Sequence, residues 1–393
     1  MPDRIAYFDS MADNWDGWKN RNRYYYSQMR RLLQFLVPTG ARVLEIGCAT
    51  GDKLAAVSPS VGVGIDFSTG MLGIARTKYP ELHFAAMAVE HLALTGRFDY
   101  ILACNLVGDL DDVQSAFQAL HRVSHPGTRL VVMYYNYLWE PILKLGERLG
   151  LKRPTFVQNW LSLADLRHIL ELAGFETICA DYRVLLPLYV PLLSTLINRY
   201  LARLPGIRRL GLITYLVARP RPKPLPDDAY SVSVIIPCRN ERGTVEAAVA
   251  RTPKLGKHTE LIFVDGNSTD GTPREIERVM RVYPDRDIKL IHQGSGTGKG
   301  NAVRKGFDAA NGDVLMILDA DLTVPPEDLT RFYRALVDGH GEFINGSRMV
   351  YPLERQAMRF LNLLGNHFFG WAFTWVLGQR FRDTLCGTKV ILR

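Results

Sequence analysis

Short apolar runs separated by longer helical patterns recur along the chain and fall into two groups. The first holds RVLEIG (42–47), GVGID (62–66), FDYILAC (98–104) and RLVVMYY (129–135). The second holds VSVIIP (232–237), ELIFVDG (260–266), IKLIHQ (288–293) and DVLMILDAD (313–321). Runs this apolar have no polar face to turn to water, so they predict parallel strands covered on both sides. Between the groups lies RPRPKPLPDDA (219–229), whose four prolines at alternate positions favour extended backbone with few internal hydrogen bonds. The pattern therefore predicts an α/β fold with two domains in tandem: residues 1–218, a proline-rich linker at 219–229, and residues 230–393.

Length and composition agree with that reading. A chain of 393 residues is long enough for two domains, and 47% apolar with 22% charged residues is the balance of a globular protein. Five scattered cysteines without a CxxC pair argue against a disulfide framework or a zinc site. The N-terminus has no apolar core of a secretory signal, so a cytoplasmic location is expected. The net charge of +8 fits nucleic acid, an anionic membrane or phosphorylated substrates, but no stretch resembles a nucleic-acid module. Its densest cluster is Asn198–Lys223, where seven basic residues alternate with apolar ones. That cluster reads equally as a membrane-facing patch and as a solvated face.

In the first half, VLEIGCATGD (43–52) is an apolar strand followed by a glycine-bearing turn and the start of a helix. Such a turn lets backbone N–H groups approach a ligand closely. Asp66 ends the next strand, nineteen residues after Gly47, where a carboxylate can accept hydrogen bonds from both ribose hydroxyls. Positions 47, 49 and 52 read Gly, Ala, Asp, which breaks the dinucleotide fingerprint. The spacing Glu45-x-Gly47-x-Ala49-x-Gly51 instead resembles the class I S-adenosylmethionine-dependent methyltransferases, over most of residues 5–220. The resemblance implies a Rossmann-like fold and S-adenosylmethionine as methyl donor. It implies that Glu45, Gly47, Cys48 and Gly51 border the methionine part and Asp66 holds the ribose. Met87 and Ala88 would flank the adenine, and Asn105 would face the sulfonium. Ala49 replaces a glycine of the family pattern, and AAMAVEHL (85–92) lacks its usual acid beside the adenine.

In the second half, three strand ends carry acids in order: VSVIIPCRNE (232–241), ELIFVDGNSTDGT (260–272) and DVLMILDADLTVPP (313–326). Strand alternation would point Asp319 and Asp321 the same way, and two such carboxylates suit Mg²⁺ or Mn²⁺ that keeps water and phosphate oxygens as its other ligands. The glycine-rich GSGTGKG (294–300) is not a P-loop, because Gln293 and Gly300 stand where Gly and Ser or Thr are required. The three acidic positions resemble the family-2 glycosyltransferases of GT-A fold. GTGKGNAVRKGFDAANGD (296–313), INGSRM (344–349) and RDTLCGTKV (382–390) resemble the branch that makes polyprenyl-phosphate sugars. The resemblance implies a UDP- or GDP-sugar donor, with Pro237, Asn240, Glu241 and Asp265 on the nucleoside. Asp319 and Asp321 would hold the metal, Asp321 acting in catalysis, while Lys299 and Arg348 offset phosphate charge. Asp383 would lie on the acceptor side, the acceptor being a polyprenyl phosphate or a glycan. Thr323 stands where the mannosyl branch can carry a metal-binding Gln.

Two apolar stretches stay outside these sites. VLLPLYVPLLSTLINRYL (184–201) is broken by Pro187 and Pro191, which fits a lid, a shallow membrane contact or ordinary core. FLNLLGNHFFGWAFTWVLG (360–378) reads as an interfacial rather than a spanning helix. The chain ends soon after CGTKV (386–390), early for this family, which reads as a shortened or partial form. The leading reading is a bifunctional methyltransferase and glycosyltransferase, at most peripheral to the inner face of a membrane. Its rivals are a glycosyltransferase whose first half is a silent, non-catalytic binding module, and a non-enzymatic membrane-associated scaffold.

Overall fold

The computed structural model describes residues 2–155, 159–346, 360–377 and 387–393. The chain divides into two compact units, Met1–Arg221 and Pro222–Arg393. Each is built around its own sheet with helices on both faces.

In the first unit β1 (Arg42–Ile46), β2 (Val61–Asp66), β3 (His83–Ala86), β4 (Tyr100–Cys104) and β5 (Arg129–Tyr135) run parallel. With β6 (Phe175–Arg183) and β7 (Ile213–Pro220) they form a seven-stranded sheet in the order β3-β2-β1-β4-β5-β7-β6. β7 runs antiparallel to both its neighbours. The apolar run of β1 is buried on both faces: Leu44 and Ile46 join one core, and Val43 joins the other. That is why the run carries no polar alternation. The first two helices, Pro2–Arg21 and Arg23–Leu36, precede the sheet. The helix Pro2–Arg21 is tied to the segment after β2 through Asp9, which accepts from Ser68 Oγ at 2.5 Å and Gly70 N at 3.0 Å.

The second unit repeats the plan. β8 (Ser231–Cys238), β9 (His258–Asp265), β10 (Asp287–His292) and β11 (Val314–Ile317) are parallel, and β12 (Phe343–Asn345) and β13 (Lys389–Leu392) complete the order β10-β9-β8-β11-β13-β12. β13 is antiparallel to β11 and β12. In β8, Val232, Val234 and Ile236 pack on one side and Ile235 on the other. Among the described residues no helix is long and apolar enough to cross a membrane.

Two local expectations are corrected. Arg219 and Pro220, read as the start of the linker, close β7, and Arg219 Nε sits 2.5 Å from Glu176 Oε1 on β6. The extended preference of these residues suits a strand, and β6 supplies the pairing, Phe175 with Pro220 and Glu176 with Arg219. β11 ends at Ile317, so Asp319 and Asp321 lie beyond the pleat, in a turn closed by Leu322 N donating to Asp319 O at 3.0 Å. Leu322 takes the left-handed φ of 54° there.

One buried charge pair fastens β1 to the following helix, Asp52–Ala56. Glu45 is fully buried, and Lys53 Nζ lies 3.0 Å from its Oε1. Burial pushes the Glu45 carboxyl up, against the pull of the Lys53 charge. For Lys53 burial acts downward, but the Glu45 carboxylate more than offsets it and holds the ammonium protonated. Lys53→Met leaves Glu45 buried without its counter-charge, and is expected to cost about 3–5 kcal/mol at neutral pH. Because the folded Glu45 then binds its proton more tightly than the unfolded chain does, the loss should shrink as pH falls toward the ordinary glutamate range of about 4.3. Urea denaturation of both proteins at several pH values checks this; a deficit that is independent of pH contradicts it.

Candidate active sites

Beyond the carboxyl ends of β1, β2 and β4 lies a cavity of about 880 Å³, bounded on the other side by the two N-terminal helices. Gly47, Cys48, Ala49, Asp66 and Asn105 line it from the sheet side. The turn after β1 is left-handed three times, with φ of 65° at Gly47, 48° at Ala49 and 80° at Gly51. At Gly47 a Cβ would stand 2.7 Å from Leu106 Cδ1, so a larger residue would have to displace that side chain as well as bear the positive φ. Ala49 bears its Cβ in a region that favours glycine, and its N–H is used: it donates to Asp66 Oδ2 at 2.8 Å. Ser68 N donates to the other oxygen, Oδ1, at 2.9 Å. Burial nevertheless raises the Asp66 carboxyl above the usual range. Each oxygen keeps one lone pair beyond these bonds.

A narrow side cavity of about 30 Å³ shares Gly47, Asp66 and Leu106 with the large one and is closed by Met87 and Ala88. Asp66 thus stands where the two meet. Asn105, at φ 56°, follows β4 and places Nδ2 3.4 Å from the hydroxyl of buried Tyr25. Of the residues named from the sequence, Glu45 and Gly51 line neither cavity. Glu45 faces Lys53, which does line the large one, and Gly51 serves as cap of a short helix.

Several residues here escaped the sequence reading. Asp16 and Lys19 on the first helix meet Asp52 and Lys78 in a four-charge clasp, with Lys78 Nζ 2.7 Å from Asp16 Oδ2 and 2.6 Å from Asp52 Oδ1. Burial pulls the Lys19 ammonium down to about 8. Asp16 falls to about 2: burial acts upward, but hydrogen bonds from Lys19 and Lys78 overcome it. Arg153 stacks its guanidinium 4.2 Å over the Trp15 ring, lines the cavity, and has a buried Nη1 that finds no hydrogen-bond partner among the described residues. The i,i+3 spacing of Asp16 and Lys19 was the one sequence signal available. Their partners come from distant parts of the chain.

In the second unit a cleft of about 220 Å³ opens at the ends of β8, β9 and β10, lined by Pro237, Arg239, Asn267, Gln293 and Lys299 among others. Asp265, 2% exposed at the tip of β9, receives the Ser268 N–H at 3.2 Å and lies 3.6 Å from His292 Nδ1. Asn240, at φ 58°, staples two loops: its N–H donates to Ser268 Oγ at 2.9 Å and its Oδ1 accepts from Thr269 N at 2.9 Å. Glu241 has its N–H bound to Thr272 Oγ1 at 3.0 Å. Its carboxyl is raised by burial and then by the charges of Asp321 and Asp270, so acids from three strand ends share one field.

Lys299 Nζ is ion-paired with Asp319 Oδ1, and Asp321 Oδ1 accepts from Thr323 N at 3.0 Å. Asp319 is pressed against Gly387, where a Cβ would stand 1.9 Å from its Oδ2. Among the described residues no three acids, histidines or cysteines cluster as metal ligands. A cation here would rest on Asp319 and Asp321 and complete its shell with water and diphosphate oxygens, which is the habit of Mg²⁺. Arg348 and Asp383, named from the sequence, lie outside the described residues.

Residues 18–180 match the family model described as a methyltransferase domain, and residues 233–387 match glycosyl transferase family 2. The dolichol-phosphate mannosyltransferase of Saccharomyces cerevisiae is 35% identical over 111 residues, 27% of this chain and 41% of that protein. Glycosyltransferase AglJ of Haloferax volcanii is 33% identical, over 43% of this chain and 52% of its own length. The undecaprenyl-phosphate 4-deoxy-4-formamido-L-arabinose transferase of Shewanella sediminis is 30% identical, over 34% and 42%. The chain spans about half or less of the length of these curated relatives. Among solved structures, an S-adenosylmethionine-dependent methyltransferase of Thermotoga maritima aligns at TM-score 0.43 and 18% identity, over 54% of this chain and 97% of that one. The chain carries a methyltransferase domain in its first half and a family-2 glycosyltransferase domain, related to polyprenyl-phosphate sugar transferases, in its second.

Proposed function

We propose that the protein is bifunctional: it transfers a methyl group from S-adenosylmethionine in its first unit, and a sugar from a nucleotide-sugar to a polyprenyl phosphate in its second. The observation that carries the first half is Asp66, held by two backbone N–H groups at the junction of a wide and a narrow cavity. Its remaining lone pairs accept the ribose hydroxyls, and the Met87–Ala88 cavity takes the adenine edge. S-adenosylmethionine supplies an activated methyl group, so the protein's task is alignment and exclusion of water. Asn105 fixes the approach beside the methyl, the Lys19–Asp16 clasp holds the first helix over the cavity, and Arg153 offers an unpaired donor to an anionic group on the acceptor.

In the second unit Asp265 and Asn240 grip the nucleoside, and Lys299 moves from Asp319 to the donor phosphates when these arrive. Asp319 and Asp321 would hold Mg²⁺ or Mn²⁺, which would supply positive charge against that of the departing nucleoside diphosphate. A phosphate acceptor is already an anion and needs no base to remove a proton. The names of the relatives, which act on dolichol phosphate and undecaprenyl phosphate, support that acceptor class. A membrane-linked acceptor sets the work at a bilayer surface, on the cytoplasmic side where nucleotide-sugars are made.

Asp66→Ala is expected to weaken S-adenosylmethionine at least about a hundredfold in calorimetry, since two charge-assisted hydrogen bonds are lost. An unchanged affinity contradicts the assignment. Asp321 is exposed and among the described residues its side chain takes part in one hydrogen bond, so Asp321→Asn should keep its melting temperature. Its Mn²⁺-dependent release of nucleoside diphosphate from UDP- or GDP-sugars, with polyprenyl phosphate present, should fall about a thousandfold. Full turnover in that variant would overturn the metal role.

A further inference from the structure

The first unit exposes a surface that the proposed chemistry does not use. After β6 the chain runs through residues 184–192, the helix Leu193–Arg199 and two short turns of helix to Leu210. Its large apolar side chains face outward: Leu188, Val190, Leu193, Leu196 and Tyr200 are all exposed, and Leu192 is 81% exposed. Leu192 is also held at φ 61°, a conformation that costs a branched side chain strain. Ordinary loops reverse this arrangement and turn polar atoms to solvent.

Here the polar groups point inward and are satisfied locally. Ser194 is fully buried; its hydroxyl accepts from Val190 N at 2.6 Å and reaches Leu188 O at 2.8 Å. Asn198 Oδ1 accepts from Leu185 N at 2.8 Å and Leu186 N at 3.0 Å, while its Nδ2 donates to Leu186 O at 2.8 Å and Tyr24 Oη at 3.1 Å. Pairing these backbone groups of residues 185–190 beneath, with leucines above, lowers the cost of entering a hydrocarbon boundary. Between Val184 and Leu210 there are four arginines (Arg199, Arg203, Arg208, Arg209) and no carboxylate. This charge selects an anionic lipid surface over a neutral one.

The surface continues into a second exposed apolar stretch. Trp139 Nε1 donates to Leu210 O at 2.7 Å, and Asn136 Nδ2 donates to Arg209 O at 2.8 Å, which joins the surface to the helix Glu140–Arg148. Ile142, Leu145 and Leu149 are exposed there. It also reaches the methyltransferase cavity: Tyr189 and Tyr24 both line that cavity, with ring centroids 5.6 Å apart.

We infer that residues 184–210, with 137–149 beside them, dock the first unit on an anionic phospholipid bilayer, so that the cavity of about 880 Å³ opens at the lipid boundary. The methyl acceptor that reaches Tyr189 is then lipid-anchored and enters from the bilayer plane. This last clause rests on the proposed methyl transfer; the docking itself does not.

The test is co-sedimentation of the full chain with phosphatidylcholine vesicles, with and without phosphatidylglycerol. The wild type should partition onto the anionic vesicles and only weakly onto the neutral ones. Leu188→Asp/Leu192→Asp/Leu196→Asp replaces exposed side chains only, and should lower partitioning about a hundredfold or more. Arg199→Gln/Arg209→Gln should remove most of the preference for anionic lipid, about tenfold. Wild-type partitioning in the leucine variant overturns the inference, as does equal binding to both vesicle types. A concentration-dependent dimer that the leucine variant abolishes, without vesicle binding by the wild type, would assign the surface to a second copy instead. S-adenosylmethionine binding measured on the same proteins separates the two readings: its absence in the wild type defeats the methyl-transfer reading and leaves docking to be judged by the vesicles.

Discussion

Both units depend on one constraint of parallel sheets. In each, the first strand lies in the middle: β1 between β2 and β4, and β8 between β9 and β11. The chain leaves the first strand in one direction and returns for the fourth on the other side. Helices on opposite faces then diverge at the carboxyl ends of the central strands, and the crevice between them is where ligands reach the backbone. Gly47, Asp66 and Asn105 lie at that crevice in the first sheet, and Pro237, Asp265 and Asp319 at its counterpart in the second. The central strands are mostly apolar inside, and apart from the ion pairs of Glu45 with Lys53 and of Glu260 with Lys289 their acids stand at the ends.

A carboxylate at such a tip is half desolvated and must be held by donors that cost the chain little. The two sheets use the same device. A left-handed residue turns a backbone or side-chain group toward the acid of the next strand: Ala49 toward Asp66, and Asn240 toward the Ser268 loop that caps Asp265. Glu45 is the exception. Its charged partner is a lysine, Lys53, which gives β1 an electrostatic tie where the family resemblance assigned it to the cofactor. A fixed acid with spare lone pairs suits ribose, and one already neutralised suits the fold.

The parallel strands were legible because burial on both faces removes most polar residues, and the acids at their ends stand out against that background. The remaining strands carry no such mark. β3 is four residues with no buried position, β7 was masked by the neighbouring aliphatic stretch and by Pro220, and β12 and β13 are defined by pairing with each other across a long span. Alternation does not apply to Asp319 and Asp321 because β11 stops at Ile317, two positions before the first and four before the second; the turn that follows sets their directions instead. The Asp16–Lys19–Asp52–Lys78 clasp and Arg153 on Trp15 join residues far apart in sequence, which no local pattern encodes. The exposed leucines of 184–210 were visible as apolar residues, but only the inward pairing of Ser194 and Asn198 shows which way they face.

Two crevices formed independently should bind two ligands independently. The most direct measurement is a calorimetric titration of the intact chain with a nucleotide-sugar and Mn²⁺, performed once alone and once with the first unit saturated by S-adenosylhomocysteine. The expected result is one site for each ligand, with the nucleotide-sugar affinity the same in both titrations. Competition between the two ligands, or a nucleotide-sugar that binds equally well to Asp265→Ala, would contradict the assignment of one ligand to each sheet.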